Sequence, residues 1–450
     1  MENFTPDLKA RSPWAVLEGV KVAEVAPADK AMEAEIRVPG SKSFTNRALI
    51  IGAAAKGTSR FSGVLRSDDS YWCMEILRHL GVKVRVEGDT VEIEGTDGNF
   101  PIKNANLYLG AAGTTARFLP GILAASKNGH WVIEGSKRMN ERPMGPLLTA
   151  LKELGANIES LEKDGYLPIK VTADGIKGGQ VEISGNTSSQ FISGLLIAAA
   201  YADSPVTIHI IDHIVQHAYV KITIDLMRKF GVTVEHDEQL KTISVTPQHY
   251  SAKEMQLEAD ASTACYFFAL AALTNGKVRV TNLTYNTYQP DIQFVDVLEK
   301  MGCTVIKGED FIEVKGCPRL KGGFTTSMKE MSDQTLTLAA IAPFADGPVA
   351  ISGVAHIRKH ESDRIHAICE SLQKMQIKVE EREDGLTVYP GTPVGTELSS
   401  YDDHRVAMSL SLIGAKVPGV RILDPGCVSK TCPTYFTELE KIGLQVTLEK

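Results

Sequence analysis

The chain has 450 residues, of which 43% are apolar and 23% charged, with a net charge of −7. That length predicts two or three domains, and the acidic balance excludes a chain-wide basic field for nucleic acid. No run of about twenty apolar residues is present to span a bilayer.

The opening, Met-Glu-Asn-Phe-Thr-Pro-Asp, lacks the basic and then apolar stretches of a signal peptide, so a cytoplasmic location is expected. The cysteines at 73, 265, 303, 317, 369, 427 and 432 are scattered and never spaced C-x-x-C. They read as reduced, buried thiols, with no disulfide framework and no zinc site.

Residues 1–16 share no pattern with any later segment and are expected to form a loose extension. The rest of the chain repeats. Six segments carry Leu, three residues (four in the third copy), usually Gly, and then alternating apolar residues. They begin at Leu77, Leu151, Leu226, Leu298, Leu372 and Leu439, with spacings of 74, 75, 72, 74 and 67. Each reads as a helix end, a Gly cap and a strand. In the fifth copy Gln376 stands where the others have Gly. Upstream of each Leu lies a run such as NRALIIGAAA, SSQFISGLLIAAA or HRVAMSLSLIGA, apolar on nearly every side, which predicts a buried helix. The unit is β-α-β-α-β-β, used six times, and predicts an α/β protein of two lobes with three copies each. One lobe is expected to comprise residues 1–40 plus 258–450, and the other 41–257.

The starts of the buried helices are polar: PGSKSFTNR (39–47), GAAGTTAR (110–117), GNTSSQ (185–190), EADAST (258–263), MSDQT (331–335) and YDDHR (401–405). Helix starts offer unpaired N–H groups and partial positive charge. With hydroxyls, glycines and Arg47, Arg117 and Arg405 nearby, they suit phosphate and carboxylate. A Ser, Asp333 or Asp403 at such a place is by itself only a cap. Six of them in one repeat geometry are expected to face one cleft. SKRMNERPMG (136–145) adds Lys137, Arg138 and Arg142; HIRKHESDR (356–364) adds Arg358, Lys359, His360, Glu361, Asp363 and Arg364; DPGCVSKTCP (424–433) adds Lys430.

PGSKSFTNRA, GAAGTTAR, NERPMGPLL, SSQF, DAS, ESDR, DDHR and DP-x-C-x-x-K-T-x-P-x-Y-F, in this order over about 20–450, resemble the 5-enolpyruvylshikimate-3-phosphate synthase family of enolpyruvyl transferases. The resemblance implies a two-lobed inverse α/β barrel. The implied reaction joins the 5-hydroxyl of shikimate 3-phosphate to phosphoenolpyruvate and releases phosphate. It implies no metal or organic cofactor, no nucleic-acid or membrane partner, and a monomer. Matched by motif, Lys42, Gly113, Thr114, Arg142, Gln190, Arg364, Arg405 and Lys430 would bind phosphoenolpyruvate, with Arg117 in support. Lys42, Ser43, Arg47, Ser188, Ser189, Gln190, Tyr219, Asp333 and His360 would bind shikimate 3-phosphate. Lys42, Asp333 and Glu361 would be catalytic.

The chain departs from the family's commonest pattern at Ala111, Phe118 and His360, where many members have Asn, Pro and Lys. The first two are expected around the phosphoenolpyruvate loop, and His360 replaces a permanent cation with a group titrating near neutrality. Three other readings stand beside this one: a UDP-N-acetylglucosamine enolpyruvyl transferase, a paralogue acting on another cyclohexene acid, and a non-catalytic repeat scaffold. Against the first, Lys137–Glu141 ahead of Arg142-Pro143 contains no Cys. A scaffold has no need of Lys42, Asp333, Glu361 and Lys430.

Overall fold

A computed structural model describes residues 6–450. The chain forms two compact units: residues up to Pro39 with Ala259–Lys450, and Gly40–Glu258. Each is built from three four-stranded sheets and three buried helices.

In Gly40–Glu258 the buried helices are Lys42–Ala54, Gly113–Ala124 and Ser189–Ala199. All residues of the second are buried, as are Phe44–Ala54 of the first. Such helices cannot reach solvent on any side, so the sheets and the more polar helices Asp68–His79, Gly145–Glu153 and Ala218–Lys229 form the outer layer. The middle sheet shows the shared pairing. Strand Asn104–Tyr108 runs parallel to Lys127–Glu134, which runs antiparallel to Ile169–Asp174, which pairs with Asn157–Ser160. Along these strands apolar residues alternate inward: Trp131 and Ile133 sit opposite Val171 and Ile169, all fully buried.

The second unit repeats this plan around helices Ala261–Thr274, Thr335–Ile341 and His404–Gly414. The repeats exchange strands at the chain's crossing points. Glu254–Gln256 pairs parallel with Thr58–Ser62 and opens the first repeat. Glu33–Ile36 pairs parallel with Lys277–Val280 and opens the fourth. Val22–Val25 lies between Val420–Leu423 and Val446–Glu449 and completes the sixth sheet.

The glycine caps form as expected. Gly81, Gly155, Gly231, Gly302 and Gly443 have φ between 86° and 99°, where a Cβ is penalised. Gln376 takes the same left-handed turn at φ 65°, so the repeat geometry prevails over the preference of the residue.

Two expectations need correction. The fifth buried helix does not begin at Asp333. A 3-10 turn, Ser332–Gln334, precedes Thr335–Ile341, and a second, Ala342–Phe344, ends it at Pro343, which has no N–H to donate. Nor is the N-terminal extension loose over its described part. Residues 1–5 lie outside the described residues, but Ala10 and Ser12 are buried and Arg11 is ion-paired to Asp402 and Asp424.

Candidate active site

In Gly40–Glu258 the first helix starts at Ser41, whose buried hydroxyl caps nothing and has no hydrogen-bond partner among the described residues. Lys42 follows it, with Nζ 3.6 Å from the buried carboxylate of Asp69. One turn on, Arg47 is buried, at 2% exposure. Its Nε donates to Thr223 Oγ1 at 2.7 Å, Nη1 to the Ser43 carbonyl at 3.0 Å, and Nη2 to the Tyr219 carbonyl at 3.2 Å and Ser193 Oγ at 3.4 Å. The guanidinium also lies 5.1 Å from the Phe118 ring centre and 5.9 Å from that of Tyr219. All these partners are neutral. Burial lowers the Arg47 pKa to about 10, which marks a cation taken out of water with no carboxylate among the described residues to balance it. Phe118, expected beside the phosphoenolpyruvate loop, packs on Arg47 instead.

The second helix opens at Gly113. Arg117 Nη1 donates back to the Gly113 carbonyl at 3.1 Å, and Nη2 to that of Pro143 at 3.3 Å. Arg142 lies over Gly113 so closely that a Cβ there would stand 2.7 Å from its Nη1 and 3.1 Å from Arg117 Nη1. Two guanidiniums thus share the space above one glycine, with Thr114 buried beside it. At the third helix Ser188 is the cap: its hydroxyl accepts from the Gln190 N–H at 3.2 Å. Ser189 and Gln190 begin that helix, one turn before Ser193, which contacts Arg47.

The other unit holds a continuous ion network. Arg364 is 2% exposed at its side chain and serves three carboxylates. Its Nη1 donates to Asp333 Oδ1 at 2.8 Å, Nη2 to Glu361 Oε2 at 2.9 Å, and Nε and Nη2 to Asp403 at 2.8 and 3.1 Å. Arg405 Nη2 meets the second oxygen of Asp333 at 3.0 Å, and Lys430 Nζ meets Glu361 Oε1 at 3.1 Å. Asp333 sits in a 3-10 turn, and both of its oxygens meet arginines. Asp403 does both tasks: it caps the sixth helix through the Arg405 N–H at 3.0 Å and holds Arg364.

The electrostatics follow from this wiring. Burial opposes the charge of Arg364, but Asp403, Glu361 and Asp333 outweigh it and raise its pKa. Burial likewise opposes Arg405, and Asp333 raises it well above the usual value. His360 goes the other way: burial and then Arg364 push it well below 6.5, and its Nδ1 accepts from Arg364 Nη1 at 3.2 Å. The expected group titrating near neutrality is a neutral imidazole.

Behind the network lies a carboxylate with no motif to announce it. Asp291 is fully buried; its Oδ2 accepts from Gln334 Nε2 at 2.8 Å and from Ser262, and its Oδ1 has no partner among the described residues. Burial, then the charge of Asp333, raises its pKa to about 6 against the pull of Arg405.

Of the remaining cations, Arg358 is committed to Asp363 and Glu381, each at 2.9 Å. Arg138 pairs with Glu141 at 3.5 Å.

Buried helices inside their sheets, with clustered cations at the helix starts, define an α/β enzyme that handles small anionic substrates. The family model for EPSP synthase (3-phosphoshikimate 1-carboxyvinyltransferase) matches residues 27–439. The 3-phosphoshikimate 1-carboxyvinyltransferase 2 of Halalkalibacterium halodurans is 58% identical over 442 residues, covering 98% of each chain. The 3-phosphoshikimate 1-carboxyvinyltransferase of Trichormus variabilis is 41% identical over 417 residues, 92% of this chain and 97% of that one. The solved EPSP synthase of Acinetobacter baumannii superposes with a TM-score of 0.81 at 27% identity, over 96% of this chain and 100% of that one. The chain belongs to the EPSP synthase family, and its fold is the inverse α/β barrel of that family.

Proposed function

We propose that the protein transfers the enolpyruvyl group of phosphoenolpyruvate to the 5-hydroxyl of shikimate 3-phosphate, by addition and elimination. The observation that carries this reading is the Arg364 network, where Asp333 and Glu361 are held among Arg364, Arg405 and Lys430. In the addition, the 5-hydroxyl oxygen bonds to carbon 2 of phosphoenolpyruvate while carbon 3 gains a proton and the hydroxyl loses one. In the elimination, carbon 3 loses a proton, the carbon 2–phosphate oxygen bond breaks, and inorganic phosphate leaves. Asp333, Glu361 and Lys42 carry these protons.

Arg142, Arg364, Arg405 and Lys430, with Lys42, Gly113, Thr114 and Gln190, bind the carboxylate and phosphate of phosphoenolpyruvate. Arginine pairs bidentately with both groups, and fixed cations stabilise charge that develops in the transition state. Lys42, Ser43, Arg47, Ser188, Ser189, Gln190, Tyr219 and Asp333 bind shikimate 3-phosphate. Arg47 suits the role, because its described partners are neutral and an anionic substrate would balance its charge. His360, kept neutral, offers this substrate a hydrogen bond rather than a charge. The enzyme acts as a monomer in the cytoplasm. No helix of the described residues is long and apolar enough to cross a membrane.

Phosphate release from phosphoenolpyruvate, measured with shikimate 3-phosphate and separately with UDP-N-acetylglucosamine, tests the reading. Release with the first acceptor alone is expected. Release only with the nucleotide sugar, or with neither, would remove it.

A further inference from the structure

Arg11 lies outside the sixfold repeat and ahead of the family match, which begins at residue 27. It is nevertheless ion-paired to two carboxylates of its unit. Its side chain is 15% exposed, and Nη2 stands 2.6 Å from both oxygens of Asp424 and 3.4 Å from Asp402 Oδ1. The Asp7 N–H donates to the other oxygen of Asp402 at 3.2 Å. Gly426 leaves room for this: a Cβ there would stand 2.5 Å from Arg11 Nη1, a group its ion pairs do not let move aside.

The two carboxylates head two loops of the site. Asp424, at φ 51°, directly precedes the turn Pro425–Lys430, which ends at the cation facing Glu361. Tyr401 and Asp402, at φ 54° and 51°, directly precede Asp403, which holds Arg364 and starts the helix bearing Arg405. Left-handed backbone is uncommon away from glycine and persists where the surroundings fix it. Arg11 joins both loops at these points. Without it, the two partly buried carboxylates lose the cation that joins their loops.

We propose that Arg11 is a positioning residue, a clasp from outside the repeat that sets Lys430 and Arg405 against phosphoenolpyruvate. This rests on the reaction proposed above. Misplacement of a binding group by about an ångström costs up to roughly 100-fold. Arg11→Ala is therefore expected to lower kcat/KM for phosphoenolpyruvate about 10- to 100-fold, mainly through KM. Millimolar guanidinium should restore part of that loss and leave the native enzyme unchanged. The double variant Arg11→Ala/Asp424→Asn should fall no further than Arg11→Ala, since the lost partner is the same.

A structural anchor alone would behave differently. In that case Arg11→Ala lowers the melting temperature, leaves the KM for phosphoenolpyruvate as it was, and shows no guanidinium response, and the proposal is overturned. If Arg11→Ala does not fold, Arg11→Lys decides. It keeps a cation but not the fork, so a KM raised several-fold supports the clasp and an unchanged KM refutes it. A native enzyme that releases no phosphate is a different failure: it removes the proposed reaction, and this inference with it.

Discussion

Lys430 Nζ stands 3.1 Å from one oxygen of Glu361 while Arg364 Nη2 holds the other at 2.9 Å. A carboxylate gripped by cations on both oxygens has a fixed orientation, and small changes to it are readable. Glu361→Gln keeps size and polarity but removes proton transfer. Turnover should fall about 100- to 10,000-fold, with shikimate 3-phosphate affinity nearly unchanged. Solvent hydrogen exchange into the methylene of phosphoenolpyruvate should fall in parallel. A folded Glu361→Gln enzyme with near-normal turnover would take this residue out of the chemistry.

Gly113 carries two guanidiniums over its α-carbon. In Gly113→Ala the new methyl would meet Arg142 Nη1 at 2.7 Å, so the arginine tip moves and the backbone stays. The KM for phosphoenolpyruvate is expected to rise and inhibition by glyphosate, which resembles that substrate, to weaken. Stability should change by less than about 1 kcal/mol, because the displaced group is a side-chain end. Unchanged constants for both ligands contradict the assignment of this loop.

Arg47 is buried among neutral partners, so its charge works against the free protein and in favour of a bound anion. Arg47→Met removes the buried charge but leaves Thr223 and the Ser43 and Tyr219 carbonyls without their donor, so the ligand-free protein should lose about 1–3 kcal/mol. The rise in melting temperature on adding shikimate 3-phosphate should largely disappear. Arg47→Lys is not expected to restore it, because the fork of donors is lost. A full ligand-induced rise in Arg47→Met rules out Arg47 as an anion holder.

Asp291 gives the stability curve a defined slope. Its folded pKa of about 6 lies above the ordinary 3.8, so the folded state holds the proton more tightly than the unfolded chain. Its contribution is complete below about pH 3.8 and is lost as pH rises through 6, a change of about 3 kcal/mol across that interval. Asn mimics the protonated form. The stability of Asp291→Asn relative to the native protein should therefore climb between pH 4 and pH 7 by that order. Parallel denaturation curves at the two pH values would show that Asp291 does not titrate there.

The repeat was legible because its signals are local. A Leu, a Gly in a left-handed cap and an apolar helix each show within a dozen residues, and even Gln376 takes the turn its neighbours predict. The cations of the candidate site were named by motif. Their partners were not: Arg364 finds Asp403 39 residues on and Asp333 31 residues back, and no periodicity links such positions. Asp403 looks like a cap and is one, which conceals its hold on Arg364. His360 changes character for the same reason, since only its surroundings keep it uncharged. The N-terminal segment misleads most: a short aperiodic stretch gives no sign of carboxylates that lie 391 and 413 residues downstream of Arg11.

The placement of Val22–Val25 has a consequence for how the chain is made. Val22 pairs with Leu423 and Glu449, so an early-synthesised strand must await nearly the last. At roughly 5–20 residues per second, the 401 residues from Val22 to Leu423 take about 20–80 s to emerge. Gly40–Glu258 is continuous and can fold on the ribosome in the meantime, while the strand ahead of it stays unpaired, a template for other chains. A chain interrupted between Glu258 and Val420 would hold one continuous unit and an unpaired strand ahead of it. Completion of the sixth sheet therefore waits for synthesis through Glu449.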